Sequence, residues 1–208
     1  MKLYSTVIEE GSAEQIIEKS KFIAYVKPVY DKQEADDYIA QIRKKHKDAT
    51  HNVPAMVIGD KMQIQWASDD GEPQGTSGAP IIKMLIGAGI TNVVVVVTRY
   101  FGGIKLGTGG LARAYTSSAK LGLEAAKICD VKEQMCITCE FDYTYLTKFQ
   151  NMAGDYFLIE NIKYTDKVEA DFLCGPDDKD KVKNIIESMT SGKSRIKKEE
   201  MGLIKIKI

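Results

Sequence analysis

Three acids stand within four positions, Asp69, Asp70 and Glu72, with only Gly71 between them. Carboxylates this close can gather a divalent cation such as Mg²⁺, or supply a general base with a neighbouring partner. They can equally bond local backbone N–H groups in a tight turn, Gly71 providing a positive φ. No second acidic cluster is evident elsewhere in the chain to complete a metal cage, so the loop reads as shaped and functional but holding no metal. His51 lies just ahead of a strand-like segment and could approach the loop as an acid–base group. An ordinary polar residue near a turn is the competing reading. If the chain is an enzyme, Asp69, Asp70, Glu72 and His51 are its candidate catalytic residues.

Two glycine-rich stretches could bind an anion. The first follows the acids directly. Gly75, Thr76, Ser77 and Gly78 lead into a predicted helix, whose start offers free N–H groups unless Thr76 or Ser77 simply caps it. The second is "RYFGGIKLGTGGLARAY", residues 99–115. Gly107, Gly109 and Ala112 mimic a dinucleotide-binding spacing, but about nine residues separate the motif from its strand, where such a loop follows at once. A generic anion cradle remains. It comprises Gly102, Gly103, Gly107, Gly109 and Gly110 as backbone donors, with Arg99, Lys105 and Arg113 around them. Tyr100 and Phe101 could stack on a base, although core packing suits at least one of them. The acidic loop is expected to form the other wall, Asp70 pairing with Arg99 or Arg113. His46, inside "RKKHK", reads as a solvated helix end. Cys136 and Cys139 lie three apart within a strand, which turns them to opposite faces and argues against zinc or redox chemistry.

The elements that must position these groups follow from pattern. With 208 residues, 44% hydrophobic and 28% charged, the chain is an ordinary globular protein with a core of useful size. Twenty-nine basic and 29 acidic residues cancel, so no global field attracts nucleic acid. Residues 98–128 are the local exception, with five cations against Glu124. The longest apolar run, "VVVVV" at 93–97, cannot span a bilayer. The opening residues show no signal-peptide pattern, so a cytoplasmic protein with no membrane contact is expected.

In the first half, "YSTVIEE" and "QIIEKSKFIAYVKPV" read as strands. Ala35, Tyr38, Ile39 and Ile42 fall at helical spacing, with Asp31 as cap. "VPAMVIGD" and "KMQIQWAS" form a hairpin turning at Gly59 and Asp60. A short helix over about 78–87, a buried strand "NVVVVVTRYF", a loop "GGIKLGTGG" and a helix rich in small residues follow. Small side chains there imply close approach of another backbone. The second half reads β-α-β-β-α-β, ending in the strand "RIKKEEMGLIKIKI", the order of a ferredoxin-like domain. The join falls near Cys129, giving expected domains 1–128 and 129–208 in an α+β chain.

The segments "EKSKFIAYV", "SDDGEPQGTSGAP" and "VTRYFGGIKLGTGGLARAY" resemble the signature segments of the IMPACT family, in its bacterial YigZ branch. The resemblance implies a ribosomal protein S5 domain 2-like fold for the first half and a ferredoxin-like fold for the second. It also implies a role in regulation of translation, since eukaryotic relatives act there. One departure stands out: relatives often carry a second histidine and a cysteine after the position of His51, where this chain has Asn52 and Val53. A binding protein for RNA, the ribosome or another anionic ligand is therefore the expectation, using Gly75, Thr76, Ser77, Gly78, Arg99, Tyr100, Gly102, Gly103, Lys105, Gly107, Gly109, Gly110 and Arg113. No cofactor is expected. The net acidic second half, 13 basic against 15 acidic residues, suits a protein partner. The alternative is an enzyme acting on a phosphorylated small molecule or nucleotide in the same cleft.

Overall fold

A computed structural model describes residues 2–207; Met1 and Ile208, the outer ends of the two expected domains, lie outside the described residues. The chain is mixed α and β, with two five-stranded sheets. Two compact units are built on them. One comprises residues 3–131 with 205–207, and the other comprises 132–204 with Lys2.

In the first unit, β1 (Lys2–Val7), β2 (Gly11–Ile17) and β3 (Ser20–Pro28) precede α1 (Lys32–Lys45). The hairpin β4 (His51–Ile58) and β5 (Ile64–Ala67) leads to α2 (Gly78–Gly87), then β6 (Val93–Tyr100) and α3 (Gly107–Ala125). The sheet order is β2-β3-β6-β4-β5, with every neighbouring pair antiparallel.

β6 shows why the sequence takes this form. Its valines are covered on both faces: Val94 and Val96 pack with Tyr38, Ile39 and Ile42 of α1. Val93, Val95 and Val97 pack with Ile81 and Leu85 of α2 and Leu111, Tyr115, Ala119 and Leu123 of α3. A strand buried on both sides loses its alternation and reads as a continuous apolar run. The expected α1 face of Ala35, Tyr38, Ile39 and Ile42 is buried, and the Asp31 carboxylate accepts the Glu34 N–H as cap. The small residues of α3 have their explanation in the sheet below. A Cβ at Gly122 would lie 2.9 Å from Ala24 and Val26 of β3.

The second unit takes in β7 (Ile128–Phe141) from Lys132 onward, α4 (Tyr143–Met152), β8 (Leu158–Tyr164), β9 (Val168–Cys174), a 3-10 turn, α5 (Lys179–Thr190) and β10 (Arg195–Lys207) as far as Ile204. This is the expected β-α-β-β-α-β order; the sheet runs β1-β7-β9-β8, with β10 also paired to β7. Phe141, Phe149, Phe157 and Phe172 form its core with Val182 and Ile186. Cys139 is buried in that core, whereas Cys136 faces the opposite side of β7. None of the described helices is long and apolar enough to cross a membrane.

Candidate anion-binding site

The acidic loop is held by its own acids. Asp69 reaches forward to the start of α2, where one carboxylate oxygen accepts from the Ser77 N–H, the Ser77 hydroxyl and the Gly78 N–H at 3.1, 2.6 and 2.9 Å. The other accepts from the Gly75 N–H at 2.7 Å. Burial alone would raise the pKa of this carboxyl, but the Ser77 hydroxyl and the three backbone donors outweigh it and hold the value below the usual carboxylate range. The Thr76 N–H donates to the Pro73 carbonyl. The expectation of free donors at Gly75, Thr76, Ser77 and Gly78 is thus corrected. All four N–H groups are used within the loop, because a carboxylate six to nine residues back supplies the anion. Nor is either hydroxyl a cap: the one on Thr76 donates to Pro73, and Asp69 caps α2 in place of Ser77.

Asp70, at φ +48°, with Gly71 at φ +88°, turns the chain sharply back. Its carboxylate bonds Arg43 of α1 at 2.9 Å and the Asn52 N–H at 2.6 Å. The expected pairing of Asp70 with Arg99 or Arg113 is therefore corrected too; the acid on Arg99 is Glu72. One Glu72 oxygen accepts from Arg99 Nη1 at 2.7 Å and from the Tyr115 hydroxyl at 2.8 Å. Both members of the ion pair are about 95% buried. Burial and the adjoining Glu72 push the Tyr115 hydroxyl far up, keeping it a neutral donor. Arg99 lies between the rings of Phe22 and Phe101, at 5.4 and 5.3 Å, and donates through Nη2 to Ser20. Its Nε is the one buried side-chain donor among the described residues that lacks an acceptor.

Sheet register builds this row. Phe22, Arg99 and His51 are direct neighbours across β3, β6 and β4, so their side chains share a face. His51 Nδ1 donates to the Asp70 carbonyl at 2.8 Å, and its Nε2 lies 3.7 Å from the second Glu72 oxygen. Around these groups is a pocket of about 390 Å³, lined by His51, Glu72, Pro73, Arg99, Phe101, Lys105, Gly107 and Thr108.

The second glycine stretch differs from the expectation at one point. The segment from Gly107 to Gly110 is the first turn of α3, not loop. Gly107 at φ +70° opens that turn, and no side chain caps it. Lys105 makes no ion pair with any described residue. Gly110 and Arg113 line a separate pocket of about 480 Å³ with Glu18 and Ser117, and Lys105 borders both pockets. Gly102 has a packing role: its N–H donates to Ser20, and a Cβ there would meet the Lys19 carbonyl at 2.0 Å. Gly103, at φ +87°, serves the turn. Gly109 sits in the first turn of α3 beside Arg113.

Tyr100 points away from the pocket. Its hydroxyl meets His46 Nδ1 at 2.8 Å, and His46 Nε2 meets the Tyr25 hydroxyl at 2.6 Å. His46 is thus a bridge between two strands, correcting its reading as a solvated helix end. Burial, followed by the nearby Lys45 and Lys21, lowers its pKa. Asn52, one of the two departures noted above, is spent on structure. It accepts from Thr98 and donates to the His46 carbonyl. Pattern reading missed Arg43, Tyr115 and Ser20. Only Tyr115 left a signal, as the one large hydroxyl on a helix face otherwise lined by small and aliphatic residues.

Comparison with known proteins agrees with the motifs. Residues 18–123 match the Impact N-terminal domain, and residues 139–193 match a domain of unknown function, DUF1949. The chain belongs to the IMPACT family. It is 41% identical to the IMPACT family member YvyE of Bacillus subtilis, over 95% of this chain and 92% of that one. Against the family member YigZ of Escherichia coli the identity is 36%, covering 72% and 71%. A crystal structure described as that of a hypothetical protein superposes with a TM-score of 0.60 at 27% identity, covering 100% of this chain and 98% of the other.

Proposed function

We propose that this IMPACT-family chain is a translation-associated binding protein that grips the phosphates of RNA, free or in the ribosome, at the start of α3. The observation that carries the reading is the uncapped first turn of α3 beside Lys105 and Arg99 in one pocket. Free N–H groups, the positive end of a 19-residue helix and Lys105, whose charge no described acid neutralises, together favour a phosphate. Phe101, 45% exposed on the same pocket, offers a ring face to a base. In this reading the first unit is S5 domain 2-like. The second is ferredoxin-like, the pairing of β7 with both β9 and β10 and of β9 with β8 supporting that assignment, and it serves a protein partner in the cytoplasm.

The test is a titration against ribosomal subunits and short single-stranded RNA at two salt concentrations, comparing the chain with its Lys105→Ala variant. Affinity should fall with salt, by a slope of about 0.7 per phosphate neutralised, and the variant should lose about one phosphate's share. Binding that ignores salt, or that Lys105→Ala leaves unchanged, would contradict the reading.

Catalysis on a phosphorylated small molecule or nucleotide is the second reading. One observation favours it: His51, fixed by the Asp70 carbonyl, turns Nε2 toward the pocket. Asp69 and Asp70 are committed to structural bonds, so Glu72 and His51 would have to carry the chemistry. A nucleotide with Mg²⁺ that raised the melting temperature and was turned over would support it; neither effect would remove it.

A further inference from the structure

We infer that the pocket distinguishes RNA from DNA, His51 and Glu72 together accepting a hydrogen bond from the ribose 2′-hydroxyl beside the phosphate held at Lys105 and α3. This deepens the RNA reading above and rests on it.

The argument begins with two acceptors that lack a donor. A carbonyl oxygen only accepts, so the 2.8 Å contact with Asp70 makes His51 Nδ1 the donor, and in the neutral form of the ring Nε2 is then a bare acceptor. Glu72 spends one oxygen on Arg99 and Tyr115, while the other accepts from no described residue. The two acceptor atoms lie 3.7 Å apart, and since neither carries a proton when the ring is neutral, both call for a donor from outside. Both residues line the pocket, and both are held in place. His51 is laddered to Arg99 across the sheet, and Glu72 is pinned by the buried guanidinium.

A pair of fixed, partly buried acceptors selects a ligand that brings a hydroxyl or an N–H. Lys105 and the open turn of α3 line the same pocket and select a phosphate. A strand of RNA carries both groups on every nucleotide, whereas DNA has the phosphate without the 2′-hydroxyl. A deoxy ligand would leave the two acceptors desolvated and unpaired, which costs roughly tenfold in affinity or more. Bases carry donors too, but uridine has no exocyclic amine and its N3–H is common to the RNA, deoxy and 2′-O-methyl strands, so differences among the three isolate the 2′-hydroxyl.

The experiment is an anisotropy titration, at fixed salt, of three labelled uridine strands of about eight nucleotides. One is RNA, one its 2′-deoxy form and one its 2′-O-methyl form, which keeps the RNA-like sugar pucker but has no donor. The chain should bind RNA roughly tenfold more tightly than either analogue. His51→Ala should lower RNA affinity to the level of DNA without altering DNA affinity, and Lys105→Ala should weaken all three alike. If His51→Ala proves unstable, the 2′-O-methyl comparison on the unaltered chain decides by itself. Equal affinity for the three strands, or a preference for RNA that persists in His51→Ala, overturns the inference and leaves phosphate binding intact. Binding to none of them overturns the RNA reading along with it.

Discussion

The first unit contains two helix starts preceded by glycine-rich chain, and they are finished in opposite ways. At α2, Asp69 accepts from Gly75, Ser77 and Gly78 and is itself held in its charged form. At α3 no side chain caps the first turn, and beside it lie the cations Lys105 and Arg113 and the mutually neutralised pair Arg99 and Glu72. Similar composition therefore gives one closed end and one open end. A helix that supplies its own anion has no need of a ligand there. One whose start gathers positive charge gains stability by binding an anion. The acidic loop that looked like the chemical site acts mainly as a brace, and its one pocket-facing acid, Glu72, positions Arg99.

That contrast can be broken, most severely at the brace. Glu72→Leu should strand the buried Arg99 charge and cost about 3–5 kcal/mol, read from the midpoint of urea unfolding. Removing the cap is the next largest effect. Asp69→Ala should cost about 1–2 kcal/mol, and added phosphate should restore part of that loss by binding the exposed start of α2.

The Asp69 contribution carries a sign in pH. Its folded pKa lies below the ordinary 3.8, so the unfolded chain takes up the proton first as pH falls. The stability it supplies is complete well above 3.8 and disappears below it. The gap in melting temperature between the chain and Asp69→Asn should therefore be present at neutral pH and shrink on acidification through that range. A gap that widened as pH fell would refute the assignment.

The smallest effect on folding should come from the open end. Lys105→Ala should change stability by no more than about 0.5 kcal/mol while clearly lowering affinity for RNA. Loss of both together would mean that Lys105 braces the fold rather than holding a ligand.

Much of this architecture is written in local pattern. The face of α1, the doubly covered β6 and the alternation of Cys136 and Cys139 follow from periods of 3.6 and 2 and from apolar runs, which short windows contain. The α3 start reads as loop in the sequence because three glycines in its first turn disfavour a helix, which burial of Leu111, Ala114 and Tyr115 in the core nonetheless maintains. Partner choice was the least legible feature. Asp70 meets Arg43 and Glu72 meets Arg99, each 27 residues away in sequence, because the order and register of the strands bring them together. His46 could be seen as a bridge only once Tyr25 and Tyr100 stood on adjacent strands. No window of sequence contains those neighbours.

The most direct test of the two helix ends is a backbone-amide NMR titration with a short single-stranded RNA. The account predicts that the amides of Gly107, Thr108, Gly109 and Gly110 shift in proportion to saturation, while those of Gly75, Ser77 and Gly78 stay in place. Shifts centred on Gly75, Ser77 and Gly78, with the α3 amides unmoved, would contradict it.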